Sequence, residues 1–444
     1  MKTLKNHVIG IYLILFSLYS ISTRFTMTAA LMDGTWNNFM YRFLLLAGCI
    51  LAAWQLWNNK KNLKSRETQI LAIFSGTLLI GIISNLHYGL VDNGYGFITF
   101  ISQMVLFFLL AYDMDETWIR YYLIRIVFFC SFLWDIACLG SLAQYFLDMH
   151  YSTFYVDGHS AVRQGIVDGR LFGLFTDPNF AAFTSLLLVF GLCYIIRETR
   201  HKIFRIFCYL SLITQIMYII MSNSRTVYLS VIASVLFYVL YRTYKEKQDQ
   251  PDMARSIVCS LLLRGVITLL LLVVVYAATM FTLKSVARII TPTRDTKTEL
   301  IRDDVNDENI SNNRFTIWTA YLQLYKEKPV FGFSFRSALP YATQNNPDGY
   351  LAKTQYVTHN GYISLLVEAG IVGFLIMAIF MIQLLVRFLQ RSKEKRPVSN
   401  TYVVFSTWIL AILVFCLCFH DIFFTMNIET MLFWIGAGYL THTR

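Results

Sequence analysis

His359, Asn360 and Glu368 gather a ring nitrogen, an amide and a carboxylate at the head of a long apolar run, just after the longest polar stretch of the chain. Three arginines precede them, each beside a change from polar to apolar chain. They are Arg170 in Gly169-Arg170-Leu171-Phe172-Gly173, Arg225 in Ser222-Asn223-Ser224-Arg225-Thr226, and Arg314 in Asn312-Asn313-Arg314-Phe315. A histidine can take or give a proton near neutral pH. An arginine offers a fixed fork of donors to a phosphate or carboxylate. The set reads as proton transfer beside anion binding.

Each residue also has a plainer reading. Asp177 and Pro178 suit an N-cap and a first helical residue. The Arg170 segment therefore leads into a helix, and Arg170 adds a cation to backbone donors that already favour an anion. The turn before Arg225 is so short that this side chain sits at the membrane boundary. It either snorkels to lipid phosphate or, the favoured reading, is a buried anion-binding arginine. From Arg314 to Tyr325, Phe315, Trp318, Leu322 and Tyr325 recur at helical spacing, which predicts an amphipathic helix with that stripe as its packing face. Arg314 opens this helix, where a cation is unfavourable with the dipole unless an anion is present. Asn360 suits an N-cap, and Gly370 with Gly373 suits a close approach by another helix. Glu368 follows His359 by nine residues, about half a helical turn round, so the two do not pair within one regular helix. An arginine of another span is left as its partner.

The elements that hold these residues are membrane spans. Of the 444 residues, 56% are hydrophobic and 15% charged, with a mean hydropathy of +0.51, outside the balance of a soluble domain. Apolar runs of roughly the 20 residues that cross a bilayer fall at 8–21, 39–57, 69–86, 97–111, 122–146, 180–196, 203–221, 227–241, 258–283, 362–388, 402–419 and 431–440. The expected fold is an all-α integral membrane protein of about 12 transmembrane helices, a single polytopic domain over residues 1–444. The first run lacks the small-residue cleavage site of a signal peptide.

Basic clusters set the orientation. Lys60, Lys61, Lys64 and Arg66; Arg197, Arg200, Lys202 and Arg205; Arg242, Lys245, Lys247 and Arg255; and Arg387, Arg391, Lys393, Lys395 and Arg396 all fall on one side if both termini are cytoplasmic. The acidic link Asp113-Met114-Asp115-Glu116 fits that pattern poorly. The outside then carries a loop at 148–177 and a large one at 284–358, which holds the amphipathic helix and ends at His359. The charge of +11 lies in these clusters and not in an aromatic-interleaved patch, so no nucleic-acid partner is expected. The eight cysteines lie inside apolar runs without metal or redox spacing and read as small core residues. Asp113-x-Asp115 lies on the cytoplasmic side and Asp303-Asp304 has the wrong spacing for an outer metal motif. No internal repeat relates the two halves, which argues against an inverted-repeat transporter.

In their order and placement, these pieces resemble the O-antigen ligase and O-antigen polymerase superfamily of bacterial membrane glycosyltransferases. The resemblance rests on the Arg170 to Asn179 segment, Ser224-Arg225, the Arg314 to Trp318 start of the loop helix, its Pro329 to Gly332 end, and His359-Asn360 followed by Glu368 and Gly370. It covers roughly residues 165–385. It implies a metal- and cofactor-independent transfer of an undecaprenyl-pyrophosphate-linked saccharide on the outer face of the bacterial plasma (inner) membrane. Arg225 and Arg314, with Arg170 as a third cation, would hold the pyrophosphate. His359 would deprotonate the acceptor hydroxyl, with inversion at the anomeric carbon, and Glu368 and Asn360 would support it. The partners implied are the lipid-linked saccharide, membrane lipid, and chain-length regulator or flippase proteins.

The favoured activity is polymerisation of lipid-linked repeat units into O-antigen, capsular or exopolysaccharide. The alternatives are ligase-type transfer to lipid A core, protein or another envelope acceptor, toward which the His-Asn pair leans, and a non-enzymatic flippase. A flippase has no need of the long outer loop with its helix.

Overall fold

The structure, a computed structural model, describes residues 2–31, 34–58, 62–154, 161–248, 253–292, 300, 313–394, 398–419 and 424–442. Lys60, Lys61, Asp303, Asp304, Asn312, Lys395 and Arg396, named above, lie outside them, as does part of each outer loop.

The described chain opens with α1 (Lys2–Ser22), α2 (Thr26–Leu31) and α3 (Gly34–Asn58). Next come α4 (Arg66–Ser84) and α5 (Leu90–Gln103), which runs through a π-helical turn (Met104–Phe108) to the short α6 (Leu110–Asp113). After α7 (Glu116–Phe146) the chain forms β1 (His150–Phe154), β2 (Ala161–Val167) and β3 (Arg170–Gly173). Four long helices follow: α8 (Pro178–Glu198), α9 (Lys202–Met221), α10 (Arg225–Lys247) and α11 (Met253–Ile290). The short α12 (Arg314–Tyr325), α13 (Ala338–Asn345) and α14 (Tyr350–Thr354) precede α15 (Gly361–Lys393), α16 (Asn400–Phe415) and α17 (Ile428–His442).

The protein is an all-α membrane protein in all but one place. Among the described residues, eight helices are long and apolar enough to cross a membrane: most of α3, α4, α7, α8, α9, α10, most of α11, and α15. The other four expected spans fall on α1, α5 with its π-helical turn, α16 and α17, which are not among the eight. α16 has 16 residues and α17 has 15, shorter than the roughly 20 that span a bilayer unaided. The first outer loop is more ordered than expected, because its described residues form an antiparallel sheet in the order β1-β2-β3. The Asp168-Gly169 pair joins β2 to β3 with both residues at positive φ, 51° and 66°, the conformation that a two-residue hairpin turn demands.

Two compact units divide the chain. The first comprises Met1–Tyr41, Glu116–Asp304 and Glu394–Ala411; the second comprises Arg42–Asp115, Val305–Lys393 and Ile412–Arg444. In the first unit, polar side chains lock the helices together. Trp134 Nε1 donates to Ser185 Oγ at 2.8 Å and Trp408 Nε1 to the Leu187 carbonyl at 2.8 Å. The buried Asp135 accepts from Gln215 Nε2 at 2.9 Å, joining α7 to α9; a carboxyl at that depth is tolerated because it has such a partner. By contrast α11 is only 6% buried over its apolar window. Cys259 on this helix is exposed, against the expectation of a core residue, because α11 turns its apolar surface outward.

In the second unit, α15 packs on α4 and the π-helical turn packs on α17. Gly438 makes the latter approach possible, since a Cβ there would lie 2.1 Å from the Phe108 carbonyl oxygen. The face of α12 that packs overlaps the predicted stripe only in part, at Trp318 and Tyr325, which pack against the buried cluster. Ile317, Tyr321 and Leu324 are buried in a cluster with Phe333, Leu351 and Val367, while Phe315 is 65% and Leu322 39% exposed. Apolar residues occupy both faces of α12, so periodicity alone did not tell which one packs.

Candidate functional site

In the first unit, the β2–β3 hairpin carries Arg170 onto the starts of two helices. Asp177 caps α8 as expected, its carboxylate accepting from the Asn179 and Phe180 amides at 2.6 and 3.2 Å, with Pro178 as first helical residue. Arg170 is 9% exposed. Its Nη2 donates to Asn179 Oδ1 at 2.5 Å and its Nε to the Ser222 carbonyl at 3.3 Å. Ser224 Oγ donates to the same Asn179 oxygen at 2.7 Å, and Asn223 Nδ2 to the Gly169 carbonyl at 3.2 Å. Arg170 thus braces the hairpin, the head of α8 and the α9–α10 corner.

Arg225 opens α10 from that corner. Its side chain is exposed, which corrects the expectation of a buried arginine; Arg170 is the one that is buried, because the hairpin covers it. A third cation stands at this end, unread in the sequence: the Arg24 guanidinium lies 4.1 Å from the Phe180 ring centre, and the Arg24 carbonyl accepts from the Thr176 amide at 2.9 Å. Its signal was present, since Arg24 is the lone basic residue between the first two apolar runs. Three arginines thus stand beside two helix N-termini, with the Asp177 carboxylate capping one of them.

The second unit builds the histidine side around a broken helix. Gly370 has φ 64° and ψ −177°, so α15 is interrupted there. In a continuous helix the Val367 and Glu368 carbonyls would pair with the Ile371 and Val372 amides. Here those carbonyls accept from the Phe333 and Ser334 amides at 2.9 and 2.8 Å, and the Ile371 and Val372 amides donate to the Pro329 and Val330 carbonyls at 2.8 and 3.2 Å. The Pro329 to Ser334 segment substitutes for a turn of helix, so the break leaves these groups paired. Both glycines are required: a Cβ at Gly332 would lie 2.5 Å from the Val367 oxygen, and one at Gly370 2.2 Å from the Val330 oxygen. Gly373 does admit a neighbouring helix, as expected, with Thr77 and Phe74 of α4 against it, but Gly370 admits this loop segment instead.

His359 sits in the turn ahead of α15, half-buried and at φ 47°. The turn is pinned from both sides. Trp318 Nε1 donates to the Thr358 carbonyl at 3.0 Å and the Tyr321 hydroxyl to the Tyr356 carbonyl at 2.9 Å, both from α12. Burial, reinforced by the Glu368 carboxylate, pushes the Tyr321 phenol up, so it remains a donor at neutral pH. Asn360 caps α15 as expected, its Oδ1 accepting from the Tyr362 and Ile363 amides at 3.0 Å each while its Nδ2 donates to the Leu417 carbonyl at 3.0 Å.

Phe419 brings the predicted residues of this unit together. The Arg314 guanidinium lies 5.7 Å from the centre of its ring, and the His359 ring meets it edge-on, with centroids 6.5 Å apart and planes at 90°. Phe419 is itself buried and stacked on Phe415 at 4.3 Å. It lay unmarked in an apolar run far along the chain from either partner. Arg314 opens α12 as predicted. Within one unit the fold thus sets a cation at a helix N-terminus and an imidazole against the same ring. The pair can hold an anion and move a proton.

Residues 210–378 match the family model described as O-Antigen ligase. The chain carries an O-antigen ligase/polymerase superfamily domain. Arg225, Arg314, His359 and Glu368 fall inside the matched residues of this superfamily domain, and Arg170 lies ahead of them. A comparison with curated proteins finds no match. This match, together with the membrane-spanning helices, supports a membrane O-antigen ligase/polymerase-type role.

Proposed function

We propose that the protein polymerises saccharide repeat units carried on undecaprenyl pyrophosphate, at the outer face of the bacterial plasma membrane. The observation that carries this reading is the meeting of Arg314 and His359 on Phe419 inside a domain of this superfamily. In the reaction, the acceptor hydroxyl attacks the anomeric carbon and the bond from that carbon to the pyrophosphate oxygen breaks. The hydroxyl proton passes to His359, and undecaprenyl pyrophosphate leaves with the bonding pair. Attack opposite the leaving group inverts the anomeric centre. Arg314, and Arg225 as a second phosphate-binding cation, stabilise the charge that develops on the leaving group without calling on a metal. Arg170 takes a positioning role in this scheme, because its donors are spent on Asn179 and Ser222.

The test is incubation of purified protein with a lipid-linked repeat unit, with and without candidate acceptors, reading product length on a gel. A ladder without added acceptor is the expected result. Transfer only to an added acceptor would replace polymerisation with ligase-type chemistry. Movement of the lipid-linked unit across a vesicle without transfer would refute both.

A further inference from the structure

We infer that the first unit holds a second anion site, for the phosphate group of an anionic phospholipid or for free phosphate, at the end where α8 and α10 finish and α16 begins. A cleft there lies between the three helices, and Arg197, Arg242, Tyr238 and Asn400 line its polar rim. The Arg197 and Arg242 guanidinium groups both face the Tyr238 ring, at 5.3 and 5.6 Å from its centre. Arg242 Nη2 donates to Asn400 Oδ1 at 2.6 Å, whereas its Nε is buried without a hydrogen-bond partner among the described residues. A buried donor on a cation is costly to leave unpaired, and a turn of the Arg242 side chain toward the cleft would let an anion oxygen satisfy it.

The neighbouring carboxylates do not fill that role. Glu198 is taken up by Arg120 Nε at 2.9 Å and by Asn400 Nδ2 at 2.7 Å, and Glu246 by Arg264 at 2.6 Å. Among the described residues, neither Arg197 nor Arg242 forms an ion pair with a carboxylate. Two guanidinium groups beside one aromatic ring, with Asn400 fixing one of them, place two cations without carboxylate partners on one cleft, a charge suited to a phosphate. Below this rim the cleft is apolar, lined by Phe190, Val403 and Val404. A polar rim over an apolar floor at the ends of two membrane-crossing helices matches an amphiphile with an anionic head and a hydrocarbon tail. Asn400 also lines an adjoining cavity of about 640 Å³ whose walls carry Glu116 and Glu198 as well as Arg120 and Arg125, room for the neutral or hydroxyl-bearing part of a headgroup beyond the phosphate. This site lies at the end of α8 opposite Pro178, and hence away from the Arg170 hairpin.

Native mass spectrometry of the full-length protein in neutral detergent tests the site. The probes are phosphatidylglycerol, phosphatidylcholine and inorganic phosphate, each given to wild type, Arg197→Gln, the Arg197→Gln/Arg242→Gln double variant and a control, Lys353→Gln, which removes a basic charge elsewhere. Wild type and control are expected to retain phosphatidylglycerol over phosphatidylcholine, and the double variant to lose roughly thirtyfold of that retention, about fivefold for each basic side chain at an anionic surface. Adducts or thermal protection with inorganic phosphate alone, lost in the double variant, would support the site with free phosphate as its ligand. Equal behaviour of all four proteins toward all three probes would overturn it. The Arg197 side chain makes no hydrogen bond among the described residues, so Arg197→Gln keeps the test valid if the double variant does not fold; an unchanged retention in that single variant would then overturn the site.

Discussion

At the scale of single residues, the two units assign their arginines different work. Arg170 is buried and spends its donors on Asn179 and Ser222, so Arg170→Ala removes both bonds, leaving Asn179 Oδ1 with Ser224 alone and the Ser222 carbonyl without this donor, and is expected to cost roughly 1–3 kcal/mol of stability. Arg225 is exposed at a helix start. Arg225→Ala is expected to leave the melting temperature unchanged while weakening binding of a lipid-pyrophosphate donor. Thermal unfolding and donor titration on both variants would separate the roles, and the reverse pattern would exchange them. For His359, loss of a general base lowers a rate by about 10²–10⁴-fold. His359→Ala should reduce transfer on that scale while donor binding persists, and full turnover in the variant would remove His359 from the proton-transfer step.

At the scale of elements, the break in α15 is the feature on which the histidine side depends. The Pro329 to Gly332 and Glu368 to Gly370 motifs read as separate marks in the sequence. In space they form one hydrogen-bonded unit, with each glycine giving room to the other strand's carbonyl. Gly370→Ala is strained both by its φ of 64° and by the contact with the Val330 oxygen, and should cost roughly 1–3 kcal/mol. Differential thermal unfolding would show this as a lowered midpoint, whereas an unchanged midpoint would mean that α15 can run on unbroken. The first outer loop shows an element that was legible and passed over. Asp168-Gly169, flanked by Val162 to Val167 and Arg170 to Gly173, carries a hairpin signal, yet it reads as a loop when only membrane spans are sought.

At the scale of the whole molecule, the basic clusters predict that both termini and the links holding Lys64, Arg200 and Lys247 face the cytoplasm. Single cysteines placed at Lys64 and Lys353 in a variant lacking native cysteines should label from opposite sides of sealed vesicles, and labelling from the same side would invert or break this topology. The sequence by itself determined the class of protein, the long helices, the starts of α8, α10, α12 and α15, and the residues worth testing. Hydrophobic run length, capping chemistry and charge placement are local, and a chain displays them in order. Only the tertiary structure decided which arginine is buried, which face of α12 packs, that α15 is broken and bridged by the loop before it, and that Phe419 joins Arg314 to His359. Those outcomes depend on contacts between segments far apart in the chain, where the fit of one surface to another, and not the pattern of either, settles what each side chain touches.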